Sequence, residues 1–175
     1  YARYAARRRH CLGLGNRELV DGDGSGHPIR GVLVYVRAPH IADSVYFDEE
    51  APLPTYVIPQ MDGIVACGGL AQAGEWSTEP SDDEVATILA RCTEMLPSLA
   101  GCELLGAWAG LRPGRAGGIR LELERPPRPE LRGAALIHNF GHGGSGVICS
   151  WGCARDVEAL ASRVVRGEAQ PSSRL

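Results

Sequence analysis

The most constraining stretch of the chain lies near its end. Ala134-Ala-Leu-Ile-His138 is followed by Gly141-His-Gly-Gly-Ser-Gly146, and then by apolar residues recurring at helical spacing. The first run is short, apolar and bounded by turn residues, as a buried strand is. Trp151, Ala154, Val157, Leu160, Ala161 and Val164 supply the stripe of an amphipathic helix, with Gly167 at its C-terminal cap and Pro171 beyond. A strand that passes through four glycines in six residues and on into a helix asks for a strand–loop–helix unit. It also presents backbone N–H groups, without Cβ obstruction, at the positive end of a helix. Such a loop suits a phosphate or the electron-rich edge of a cofactor. It equally suits a plain tight turn, and spacing alone leaves both readings open.

The rest of the chain is patterned differently. Val32–Arg37, Thr55–Ile58, Gly63–Cys67 and Cys102–Trp108 read as strands, the second and third joined by a short hairpin connection. Ile119-Arg-Leu-Glu-Leu-Glu124 alternates apolar and charged residues, the mark of a half-exposed antiparallel strand. Ser81 and Glu84 form a capping box ahead of Val85, Ile88, Leu89, Cys92 and Leu96, which predicts a helix stopped by Pro97. Gly110–Gly118 and Pro126–Pro129 read as loops, and Gly68-Gly69 as a place where backbone approaches something closely. The expected fold is α+β: a mostly antiparallel sheet with helices, closed by the strand–glycine loop–helix.

Composition removes several functions. Eighteen Lys+Arg against 21 Asp+Glu leave a net charge of -3, with no excess of cations for gripping a phosphate backbone, so no general nucleic-acid binder is expected. No apolar run approaches the ~20 residues of a membrane span. All the basic residues are arginine, so a lysine nucleophile, a Schiff base and a Walker-type phosphate loop are excluded. The six cysteines are scattered with no CxxC pair, and read as buried reduced thiols rather than a disulfide framework. The first residue is Tyr1, read as a processed, trimmed or partial chain, and no signal peptide is visible.

Few side chains invite a chemical role. Arg112, in the glycine-bearing loop and held by Pro113, suits bidentate capture of a carboxylate; the alternative is a surface arginine or a structural ion pair. Tyr56, between Pro54 and Pro59, could donate its hydroxyl to the same carboxylate or be a core tyrosine. His142, Cys149 and Cys153 do not match a zinc pattern, so packing is favoured and no metal is expected. The glycine loop is not GxGxxG, and there is no Gly-x-Ser-x-Gly elbow.

Taken in order, Tyr56-Val-Ile-Pro59, Gly68-Gly69 with Gln72 and Trp76, Gly110-Leu-Arg-Pro113 with Arg120-Leu-Glu122, and His138-Asn-Phe-Gly-His-Gly-Gly-Ser-Gly146 with Trp151-Gly-Cys-Ala154 closely resemble the C-terminal half of the D-amino-acid oxidase family of flavoenzymes, which includes D-aspartate oxidase. The resemblance covers roughly residues 10 to 175. It implies a substrate domain at 28–132, flanked by a remnant of the FAD-binding domain at 1–27, its returning strand–loop–helix at 133–167 and a tail at 168–175. It further implies that Arg112 binds the substrate carboxylate, that Tyr56 assists, and that the Gly144 carbonyl faces the substrate amine. By the same resemblance Gly143, Gly144, Ser145, Gly146, Val147 and Ile148 contact the flavin.

The implied reaction is FAD-dependent oxidation of a D-amino acid by O₂ to a 2-oxo acid, ammonia and hydrogen peroxide, which requires no protein general base. D-aspartate oxidases carry an arginine two residues after the Gly-Gly pair, where this chain has Ala71, so a neutral substrate is expected. The alternatives are a D-aspartate or glycine oxidase-like enzyme, or a truncated, catalytically silent fragment. The family's GxGxxG segment for the ADP part of FAD has no counterpart here, so the isolated chain is expected to bind little flavin and to be inactive. Ser173-Arg174-Leu175 resembles the peroxisomal tripeptide, which implies an import receptor as partner and a peroxisomal location, with the cytoplasm otherwise. No nucleic-acid or membrane partner is expected, and a homodimer is compatible.

Overall fold

Ser81 starts the first helix as its spacing predicts. Its hydroxyl accepts from the Glu84 N–H at 3.2 Å, while the Glu84 carboxylate accepts from the Ser81 N–H at 2.9 Å. The helix, α1, runs Asp82–Met95 and buries Ile88 and Cys92. The computed structural model describes residues 7–10, 13–15, 17, 24–47, 54–124 and 135–168. The predicted loop at 126–129, Cys11 and the C-terminal tripeptide lie outside these residues.

The architecture is mixed α/β, with two sheets and two helices among the described residues. The strands are β1 (Arg7–His10), β2 (Gly26–Arg37), β3 (Val45–Phe47), β4 (Thr55–Pro59), β5 (Ile64–Gly68), β6 (Gln72–Ala73), β7 (Glu103–Arg115), β8 (Arg120–Leu123) and β9 (Ala135–Phe140). The second helix, α2, spans Ser150–Arg166. The chain divides into two units: residues 28–112 form one, and residues 1–27 with 113–175 form the other.

In the unit of residues 28–112 the sheet order is β3-β4-β5-β2-β6, with β7 also paired to β2. The pairs β3–β4, β4–β5, β5–β2 and β2–β6 are antiparallel. Alternation along the strands divides the side chains between two faces. Val32, Val34 and Val36 of β2, Val57 of β4, and Val65 and Cys67 of β5 pack with Ile88 and Cys92 of α1 into one core. Tyr56, Gly68 and Leu33 form a cross-strand row on the opposite face. The hairpin joining β4 and β5 is the one predicted, turned by Met61–Gly63.

The other unit holds a three-stranded sheet, β1-β9-β8, in which β1 runs parallel to β9 and β8 antiparallel to it. Helix α2 packs on β8 and β9 through Val157 and Ala161, against Ile137. It ends at Gly167 in the left-handed conformation, φ 70°, as expected of a C-terminal cap.

Three sequence expectations are corrected. The stretch from Gly110 was read as a loop, yet β7 continues through Arg115. Pairing with β2 overrides the local preference of Gly110, Pro113 and Gly114, so Arg112 stands on a strand. Val32 was read as the first residue of its strand, whereas β2 begins six residues earlier. Trp151 and Ala154 were placed on the buried stripe of the second helix. Both are exposed, and the buried residues are Cys153, Val157 and Ala161. The stripe is therefore rotated by one residue at its start.

Candidate active site

Two groups of residues are candidates for the chemistry, one in each unit. In the unit of residues 28–112, Arg112 lies over Gly31. A Cβ at position 31 would collide with the Arg112 guanidinium, so the glycine inside β2 makes the space that this side chain fills. Arg112 Nη1 donates to the Leu70 carbonyl at 3.2 Å. Among the described residues no carboxylate pairs with it.

Tyr56 faces the same place. Its ring packs against Gly68 and Gly69, where added Cβ atoms would strike the phenol; the one at Gly69 would lie 2.8 Å from the hydroxyl oxygen. Burial pushes the Tyr56 phenol above its ordinary range, and the charge of and hydrogen bond to the Arg112 guanidinium pull it back. It is therefore a protonated donor at neutral pH. Tyr46, directly across the β3–β4 pair, stacks on Tyr56 with ring centroids 5.9 Å apart and planes 15° from parallel. A guanidinium with no carboxylate partner among the described residues, beside a protonated phenol, suits a carboxylate ligand.

Helix α1 supports this pair from the far face of the sheet. Cys92 Sγ donates to the Tyr56 and Gly68 carbonyls, each at 3.5 Å, and Arg91 Nη2 donates to the Gly69 carbonyl at 2.7 Å. The hydrogen bond to Cys92 and burial push the Cys67 thiol up, so it is inert.

In the other unit, the glycine loop follows the C-terminal end of β9. Gly141 at φ 83° and Gly143 at φ 56° take conformations that L side chains rarely adopt, and a Cβ at Gly141 would lie 2.7 Å from that of Arg115. Residues 143–145 make a 3-10 turn, and Cys149 stands ahead of α2 without a side-chain capping bond. The Cys149 and Ser150 N–H groups donate back to the Ser145 and Val147 carbonyls, and the positive end of this 17-residue helix lies at the loop. Val147, Ile148 and Trp151 are 88, 86 and 84% exposed beside them. His142 Nε2 lies 3.3 Å from Cys153 Sγ, tying the loop to the helix. Upstream, His138 is fully buried with Nε2 2.6 Å from Glu124 Oε2; burial pulls its pKa down, with Glu124 opposing.

Of the residues predicted for the site, the structure brings Tyr56 and Arg112 together in one unit. Gly143, Gly144, Ser145, Gly146, Val147 and Ile148 form a continuous surface of the other. Sequence reasoning passed over Gly31, which it left just outside its strand, and Tyr46 and Arg91, which carry no signal of a role.

The family model for FAD dependent oxidoreductases matches residues 10–160. The chain belongs to this family. It is 46% identical over 153 residues to a D-amino-acid oxidase of Rubrobacter xylanophilus, covering 87% of this chain and 44% of the relative. It is 35% identical over 162 residues to human D-aspartate oxidase, covering 93% and 46%. Among solved structures it is similar to glycine oxidase from Geobacillus kaustophilus, with a TM-score of 0.64 and 25% identity over 83% of this chain and 36% of that one. An FAD-bound L-alpha-glycerophosphate oxidase from Mycoplasma pneumoniae shares the fold, with a TM-score of 0.66 and 18% identity over 90% and 42%. The chain spans about half the length of the curated relatives it matches.

FAD is the cofactor of the family of FAD dependent oxidoreductases, and the glycine loop fits it. Parallel β1 and β9 lead their C-terminal ends toward the loop, the common place for a dinucleotide in an α/β unit. The positive end of the helix suits the electron-rich edge of a flavin, and the exposed Val147, Ile148 and Trp151 suit the flat apolar body of such a group.

Proposed function

We propose that the chain supplies the substrate-binding residues of an FAD-dependent D-amino-acid oxidase, which converts a D-amino acid, O₂ and water into a 2-oxo acid, ammonia and hydrogen peroxide. The observation that carries this reading is the Arg112 guanidinium, without a carboxylate partner among the described residues, seated over Gly31 beside the Tyr56 phenol. Arg112 holds the substrate carboxylate as a fork, and the Tyr56 hydroxyl donates to the same group. Two fixed donors on β4 and β7 of the same sheet restrict the rotation of the bound amino acid about its carboxylate, so that Cα is presented in one orientation. FAD, when bound, supplies the two-electron oxidant. Gly143 to Ile148 are the residues that would hold it.

The substrate is proposed to be neutral. Ala71 follows the Gly68-Gly69 pair and brings no charge for a side-chain carboxylate. The relatives include both a D-amino-acid oxidase at 46% identity and a D-aspartate oxidase at 35%. Peroxide release by the complete protein carrying this chain, measured on D-alanine and D-aspartate, tests the proposal. D-Alanine is expected to give the higher kcat/KM by about tenfold or more, the cost of an unpaired buried carboxylate. A preference for D-aspartate refutes the assignment to neutral substrates, and no turnover of either refutes the activity. A peroxisomal location is proposed on Ser173-Arg174-Leu175 alone.

A further inference from the structure

Helix α1 does more than close the core. Its residue Arg91 reaches the main chain on both sides of Tyr56. Nη2 donates to the Gly69 carbonyl at 2.7 Å and to the Pro54 carbonyl at 3.5 Å. The Gly69 N–H itself donates to the Pro54 carbonyl at 2.7 Å. Pro54 immediately precedes β4, which carries Tyr56, and Gly69 immediately follows β5. Arg91 therefore ties the start of one strand to the end of its neighbour at the point where the Tyr56 ring lies on Gly68 and Gly69.

The run Gly68-Gly69-Leu70 shows how closely this tie is coupled to the site. Its three carbonyls each accept from a different side chain: Gly68 from Cys92, Gly69 from Arg91 and Leu70 from Arg112. The first two donors come from α1, and the third is the guanidinium of the site itself. A shift of the Gly69 peptide would move both the surface under Tyr56 and the acceptor that orients Arg112.

The electrostatics argue that Arg91 serves geometry. Its side chain is half-buried and has no carboxylate partner among the described residues, and its Nε is buried without any hydrogen-bond partner. A cation kept from water in this way costs solvation that two neutral carbonyls only partly return. An apolar side chain at this helix position would avoid that cost but could not hold the two carbonyls.

We propose that Arg91 is a positioning residue that sets the distance between Tyr56 and Arg112 by clamping the Pro54 and Gly69 carbonyls. The proposal rests on the reading of Tyr56 and Arg112 as the carboxylate site. It is tested in the complete protein with R91M and R91K, by local amide hydrogen exchange and by kinetics on D-alanine. In R91M, exchange over residues 54–70 is expected to quicken about tenfold while α1 keeps its protection. KM is expected to rise about tenfold with kcat within about twofold, because ground-state and transition-state binding of the carboxylate weaken together. R91K, which can still donate to Gly69, is expected to recover most of both.

Wild-type exchange and KM in R91M would overturn the proposal. So would exchange that quickens equally throughout the sheet and helix, which is the mark of a general stabilising role. If the wild-type protein does not oxidise D-alanine, the substrate reading fails, and the local exchange at residues 54–70 alone still decides whether Arg91 holds this frame.

Discussion

Two arginines of the same sheet show what separates a structural guanidinium from a functional one. Arg30 on β2 is 2% exposed and fully engaged. Its Nε donates to the Ser77 carbonyl at 2.8 Å, Nη1 to Gln72 Oε1 and Glu84 Oε1, and Nη2 to the Glu79 carbonyl and Glu84 Oε2. Arg112 on β7 donates to the Leu70 carbonyl and hydrogen-bonds the Tyr56 phenol, and among the described residues it pairs with no carboxylate. Both are arginines on extended strands, and Arg112 packs over Gly31, the residue next to Arg30. Because side chains alternate along a strand, Arg30 points toward the helix face and Gly31 opens the other. A guanidinium whose donors are all used has nothing left to offer a ligand. One with no carboxylate among the described residues, beside a phenol, has a charge left to satisfy, which in the proposed function is the role of the substrate carboxylate.

The contrast can be broken in several ways. The largest expected effect is on activity. R112M should lower kcat/KM for D-alanine by about a thousandfold, equivalent to about 4 kcal/mol for the loss of a charged bidentate contact, with thermal stability unchanged or raised. A small kinetic effect with a large loss of stability would reverse the roles assigned to the two arginines. R30M should do the opposite, destabilising the fold by about 3–5 kcal/mol in chemical denaturation because it leaves Glu84 without its cation.

A related effect should appear in acid. The hydrogen bond from Arg30 first, and that from the Ser81 N–H as well, hold the Glu84 carboxyl down to about 2 from 4.5. A lowered carboxylate stabilises the fold at pH values above 4.5, and this contribution is lost as the pH falls toward 2. The stake is of the order of 3 kcal/mol. Unfolding followed from pH 6 to pH 2 should show that loss in the wild type, and E84Q should flatten this part of the profile. The smallest effect is expected of Y56F, about tenfold in kcat/KM for one lost hydrogen bond to a charged group. A Y56F protein as impaired as R112M would mean that the phenol, not the guanidinium, dominates the site.

How much of this was readable before the structure depends on the range of the interaction involved. The capping box at Ser81 and Glu84, the hairpin of β4 and β5, the alternation in β8 and the left-handed Gly167 are local, and each was read from neighbouring residues. Arg112 and Tyr56 were singled out through a family resemblance; their residue types alone left a surface arginine and a core tyrosine open. Helical spacing placed Trp151 on the wrong side of α2, because the start of a helix next to a glycine loop need not lie against a sheet.

The amino-acid sequence determined the kind of elements, their order, the absence of lysine chemistry and, through its motifs, the family. Those are set by short-range backbone preference and by residue identity. The tertiary structure decided that Gly110–Arg115 is strand rather than loop, because only pairing with β2 outweighs glycine and proline in that stretch. It decided that Gly31 is empty so that Arg112 can lie there, and that Arg91, some twenty residues from Gly69 and further from Pro54, holds both carbonyls. Close approach across a sheet and the satisfaction of a buried charge join residues distant along the chain, and no periodicity in the sequence records them.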